Sequence, residues 1–90
     1  MWIVELSLAP TEERLAARPA HRRLLAGLRE RGVVPMAGPL ADDSGAVIIF
    51  DLPDEEALRR ELAADPYLTT PGVTVASVRE WRPFVTAGPC

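Results

Sequence analysis

The run AVIIFDL, residues 46 to 52, is almost continuously apolar. A strand with apolar side chains on both faces needs cover on both faces. The chain has 90 residues, enough for one domain and too few for two. A domain of that size buries only about 60 to 65% of what its unfolded chain exposes. Helices of the same chain can cover one side of such a strand. The other side has to come from elsewhere, and that requirement frames the rest of the sequence.

The neighbouring segments supply a sheet and two helices. In WIVELSL, residues 2 to 8, Trp2, Val4, Leu6 and Leu8 alternate with Ile3, Glu5 and Ser7. That is a strand with its even residues inward. Thr11 to Ala17 reads as a short helical turn. Pro19 fits a first helical position better than an interior, so the main helix is expected from Arg18 to Arg31, with Gly32 as its stop. VVPMAGPL, residues 33 to 40, reads as a strand, and Asp42 to Gly45 as a hairpin turn. Asp54 is a candidate N-cap, with Glu55 and Glu56 at the positive end of a second helix that Pro66 stops. A last strand is expected from Val73 to about Phe84.

This β-α-β-β-α-β order, with right-handed crossovers, leaves a ferredoxin-like α+β sandwich. Its four-stranded antiparallel sheet carries both helices on one face. Residues 1–84 form the expected single domain, and residues 85–90 a C-terminal tail. In the last strand, strict alternation puts Val73 and Val75 on one face and Ala76 and Val78 on the other. The sheet face without helices is then half apolar, which predicts a homodimer through that face.

Charge narrows the partners. Thirteen acids outweigh ten bases, all arginines, for a net charge of −3. A clustered basic excess of the kind that binds nucleic acid is not evident. The opening MWIVELSLAP lacks a basic leader region and is interrupted by Glu5, and no apolar run nears 18 residues. Neither a signal peptide nor a membrane span is expected, and the cytoplasm is the expected location. One histidine and a single cysteine, Cys90, are too few ligands for a zinc site within one chain, so no metal is expected.

The lone histidine follows a proline in RPAH, residues 18 to 21. His21 shares a helical stripe with Leu24, Leu25 and Leu28, so it points toward the sheet. Spacing alone is met by a core histidine satisfied by a backbone carbonyl. Asp65, in DPY, follows the second helix. If the helices run antiparallel, the start of one lies near the end of the other, and the two residues can meet. Asp65 alone is equally a turn-former before Pro66.

RPAH before a leucine-rich helix, then AGPL, then ADPY, then a strand ending WRPF, together resemble the YciI-like (YCII-related) family. The resemblance covers nearly the whole chain and rests on the order and spacing of short motifs. It implies a dimeric α+β barrel with a pocket centred on a histidine and an aspartate, which map to His21 and Asp65 as the expected catalytic pair. Arg18, Gly38 and Pro39 match the family's flanking motifs and are expected, with Tyr67, to contact a small-molecule ligand. The implied chemistry is cofactor-free proton transfer on a small cyclic oxygenated substrate. Isomerisation and elimination (dehydrochlorination) are the reaction types, since one relative is a dehydrochlorinase of a chlorinated hydroxyhydroquinone. A non-catalytic binding or accessory domain is the alternative, and a cofactor-free oxygenase a third. The hairpin ADDSGAV is shorter than in longer relatives, which bears on the pocket rim and not on the pair.

Overall fold

A computed structural model describes residues 1 to 86. Cys90 and most of the expected tail lie outside the described residues. The elements are β1 (Trp2–Leu8), α1 (Glu12–Glu30), β2 (Met36–Pro39), β3 (Gly45–Phe50), α2 (Glu55–Ala63), a 3-10 turn (Pro66–Thr69) and β4 (Val73–Glu80). The sheet order is β2-β3-β1-β4 with every pair antiparallel. This is the ferredoxin-like α+β arrangement. Among the described residues no helix is long and apolar enough to cross a membrane.

The core lies between the sheet and the helices. Val4 and Leu6 of β1 and Ile48 and Phe50 of β3 are buried with Leu28 of α1 and Leu58 of α2. The even residues of β1 therefore do face inward. Ile49 is only 4% exposed yet lies outside this cluster. It pairs with Ile3 and with Met36, in a row along the other face of the sheet. The apolar run 46 to 52 thus serves both faces, as its composition demands.

Three boundaries differ from expectation. Helix α1 does not break at Pro19; it is continuous from Glu12. The Thr11 side chain caps it by accepting from the Arg14 N–H at 3.2 Å, and Glu12 and Glu13 sit at its positive end. Pro19 is on the exposed side, where solvent can satisfy the carbonyl that its missing N–H leaves free. Strand β2 starts at Met36, because Val33 and Val34 close the end of α1. Their N–H groups both donate to the Leu28 carbonyl, and Val34 is buried beneath the helix. Strand β4 ends at Glu80, since β1 offers no partner beyond the bond from the Trp81 N–H to the Met1 carbonyl.

Strand β4 also breaks its own alternation. Its register against β1 slips by one residue between Ser77 and Val75, leaving Ala76 unpaired. This bulge turns both Val73 and Val78 toward the core, where strict alternation puts them on opposite faces. Val75 pairs with Leu6 and Val73 with Leu8, so these two share a face as expected, although Val75 is exposed; Val78, opposite Val4, is the residue that changes face. Gly72 precedes the strand with φ of +98°, and a Cβ there would overlap the Thr11 hydroxyl. That close approach locks the β4 entry onto the α1 N-cap, with the Thr11 hydroxyl donating to the Pro71 carbonyl at 2.6 Å.

Candidate functional site

The 3-10 turn after α2 positions Asp65. Its Oδ1 accepts from the Tyr67 N–H at 3.0 Å and so caps the turn. Its Oδ2 lies 2.7 Å from Nδ1 of His21. Both residues are buried, at 5% and 9% exposure. An ionised carboxylate only accepts, so Nδ1 carries the proton. In the neutral ring, Nε2 then keeps its lone pair. Asp65 is thus a turn-former and the partner of His21 at once, one oxygen for each.

The Tyr67 ring stacks on the His21 imidazole, with centroids 4.1 Å apart and planes inclined by 16°. The aspartate fixes the imidazole in its plane, and the phenol fixes it from above. Few ring orientations remain.

Sequence reasoning missed the next partner. Arg14 is 1% exposed. Its Nε donates to the Ala9 carbonyl at 2.6 Å, its Nη1 to the Tyr67 hydroxyl at 3.3 Å and its Nη2 to Asp43 Oδ2 at 3.0 Å. The hydrogen bond to Tyr67, then the one to Asp43, raises the Arg14 pKa, with burial pulling the other way. Splitting the helix at Pro19 hid this residue. In one continuous helix, Arg14 lies two turns before His21 on the same stripe. Asp43 was legible only as a turn residue. Its φ of 60° is the turn, but its carboxylate also pairs with Arg14 and, at 3.7 Å, with Arg18.

These groups border a cavity of about 450 Å³ between α1 and the β2–β3 edge of the sheet. That is within the range of small-ligand sites. Its floor is apolar, with Leu25, Val34 and Ile48. Arg18, His21, Gly38, Pro39 and Tyr67 all line it, so five of the six expected site residues meet there. Asp65 does not line it; it stands behind His21. The imidazole edge presented to the cavity is therefore the one away from Asp65, and no described group hydrogen-bonds to Nε2. Gly38 has open space where a Cβ would stand, so this glycine is not required by crowding.

The arrangement has the parts for proton transfer: an oriented imidazole with a free nitrogen, and a hydroxyl beside it. Arg14 donates to the Tyr67 oxygen, so the phenol's own proton is left for another acceptor.

Comparison with known proteins agrees with the fold. No curated protein matches the chain by sequence. Among solved structures, it is similar to the 5-chloro-2-hydroxyhydroquinone dehydrochlorinase of Burkholderia phenoliruptrix AC1100, solved in complex with 2,5-dihydroxybenzoquinone. The identity is 18%, the TM-score 0.65, and the match covers 91% of this chain and 94% of the other. The family model of the YCII-related domain matches residues 2–82, all of the sheet and helices and every residue of the cavity described above, and the chain belongs to that family.

Proposed function

We propose that this protein is a small-molecule enzyme in which His21 transfers a proton without a cofactor. The observation that carries the reading is the imidazole itself: Nδ1 is held by Asp65 at 2.7 Å while Nε2, in a residue that lines the cavity, has no partner among the described residues. Nε2 takes a proton from a ring carbon or ring hydroxyl of a small oxygenated substrate. The freed electron pair moves into the ring, and the Tyr67 hydroxyl steadies the oxygen that gains charge. Return of the proton at another carbon gives isomerisation. Departure of a halide with its bonding pair gives elimination, the reaction named for the structurally similar dehydrochlorinase.

Chloride release from 5-chloro-2-hydroxyhydroquinone, and deuterium uptake at ring positions of related compounds in D2O, test this. His21→Ala and Asp65→Asn should each lower the rate by a factor of about 10² to 10⁴ while the fold persists. Unchanged rates in both variants would overturn the proposal.

The stacked, buried Tyr67–His21–Asp65 cluster supports a second reading, a polar network that ties α1 to the 3-10 turn of a non-catalytic binding domain. In that case the cavity binds ligand, no proton exchanges, and the variants lose stability instead.

The working unit is proposed to be a homodimer formed through the helix-free sheet face. Ile3, Val47 and Ile49 share that face, and the buried Ser77 hydroxyl has no partner among the described residues. Sedimentation at micromolar concentration should give about twice the 9.8 kDa chain mass, and a folded monomer would rule the dimer out.

A further inference from the structure

The arginines of α1 divide into two sets. Arg14, Arg18, Arg22 and Arg29 fall within roughly 80° of arc on a helix turning ~100° per residue. All four line the cavity. Arg23 and Arg31 lie on the far side and border a separate groove toward Glu61 of α2.

Elsewhere in this acidic chain five of the six arginines sit with acids, Arg82 with Glu80 among them and Arg23 the exception among the described residues. Arg31 is with Glu61, Arg59 with Glu55, Arg60 with Glu56 and Arg79 with Glu5. Along the cavity the pattern stops. Asp43 is the one carboxylate lining it among the described residues, and Arg14 and Arg18 share it. Arg22 and Arg29 have no carboxylate partner among the described residues. A chain of net charge −3 thus surrounds its cavity with four arginines against one acid. Apolar walls focus the field of such a rim into the space it encloses.

We infer that the ligand of this cavity is an anion, a small ring compound bearing a carboxylate. The inference rests on the cavity being a small-molecule site and narrows what that molecule is. The charged end meets Arg18 and Arg22, one helical turn apart, whose planar guanidinium groups match a carboxylate with two parallel hydrogen bonds. Arg18 is free enough for this, since its pair with Asp43 is long, at 3.7 Å, and its side chain 35% exposed. The ring lies over Leu25 and Ile48. Its far edge then reaches Nε2 of His21, which is next to Arg22 in sequence, and the Tyr67 hydroxyl. The arginine stripe sets which end of the substrate enters toward the histidine.

The test is an NMR titration of the full chain with a panel of monocyclic carboxylic acids, 2,5-dihydroxybenzoate among them. Each is paired with its primary amide, which has nearly the same shape and no charge. The acids should bind about tenfold tighter or more at low salt, with shifts at His21 and residues 36 to 39, and the gap should shrink as salt rises. Arg22→Gln and Arg29→Gln should each weaken acid binding by roughly three- to fivefold, as partly solvated charge pairs do, and leave amide binding alone. Arg23→Gln, on the other side of the helix, should change neither. Amides binding as tightly as acids would overturn the inference while leaving a small-molecule site in place. Acid binding that maps to the Arg23 and Arg31 groove would overturn it too. If neither set shifts the cavity residues, the inference and the small-molecule reading fall together.

Discussion

Asp42 and Asp65 make the same local turn. Each side chain accepts the N–H of the residue two positions on, and both bonds are 3.0 Å long. Local sequence chemistry dictates this much in both places. What surrounds the turns is different. Asp42 is exposed in the β2–β3 hairpin, and its second hydrogen bond goes to the Ser44 hydroxyl at 2.6 Å, within the same turn. Asp65 is buried, and its second oxygen takes Nδ1 of a histidine 44 positions earlier in the chain. A turn becomes part of a site when burial and topology bring a distant group to the oxygen that the turn leaves free.

The largest effect should come from emptying the buried turn. Asp65→Ala removes the cap of the 3-10 turn and strands the His21 Nδ1–H. A buried donor left without its acceptor costs about 1 to 3 kcal/mol. The melting temperature should fall by several degrees, at about 4 to 8 °C per kcal/mol for a domain this small. Asp65→Asn separates the two oxygens. If the amide oxygen keeps the Tyr67 N–H, the amide nitrogen faces His21 and donates to Nδ1, which pushes the ring proton to Nε2. The fold should be nearly retained while the ¹⁵N spectrum of His21 reports the opposite tautomer. A collapse of stability in both variants alike would mean that the two oxygens do not have separable roles.

A smaller effect is expected one step further along the network. Tyr67→Phe keeps the stack on His21 and removes the hydroxyl that accepts from Arg14. The bond is long, at 3.3 Å, and Arg14 retains Ala9 and Asp43. A loss of about 1 kcal/mol is expected, the net worth of one such hydrogen bond. Chemical denaturation measures it. The same variant should lower proton-transfer rates more than ligand affinity if the hydroxyl serves the charge that develops during reaction. An equal loss in both would reduce Tyr67 to a stacking ring.

Much of this was legible in the residues. The alternation of 2 to 8 and the two-faced run 46 to 52 specify the sheet, because burial acts on every position of those strands. Asp54 reads as an N-cap and is one, its Oδ1 accepting from the Ala57 N–H at 2.8 Å. The bulge at Ala76 was not legible, since nothing in VTVASV marks which residue will go unpaired; only the packing of Val73 and Val78 decides it. That His21 and Asp65 can meet was readable from the antiparallel helices; that they do pair was readable through the family resemblance, because it depends on how α1 lies beside the turn after α2. Arg14 was hidden by a single propensity argument. Pro19 weakens a helix, but Thr11 and two glutamates at its start, and leucines along its buried face, outweigh one missing hydrogen bond.

The smallest effect belongs to the exposed turn, and it is a matter of pH. The Ser44 hydroxyl, and after it the Ser44 N–H, hold the Asp42 carboxyl below its ordinary pKa by bonding its charged form. A carboxyl whose pKa is lower folded than unfolded contributes stability above the unfolded value, about 3.9, and that contribution is lost as pH falls through the folded value. Ser44→Ala removes the larger of the two donors and should move the Asp42 pKa back up toward the ordinary range, as read from its side-chain carboxyl carbon in an NMR titration. At neutral pH the variant should be slightly less stable than the parent. The gap should close once the pH is low enough to protonate Asp42 in both proteins. A gap that stays constant down to strongly acid pH would mean that Ser44 acts on the turn without sensing the charge of Asp42. Throughout, the His21–Asp65 bond should be unaffected, since the hairpin turn shares no atom with it. If the hairpin change does alter the His21 tautomer, the route runs through Asp43, whose backbone lies between the two residues of the Asp42 turn and whose carboxylate holds Arg14.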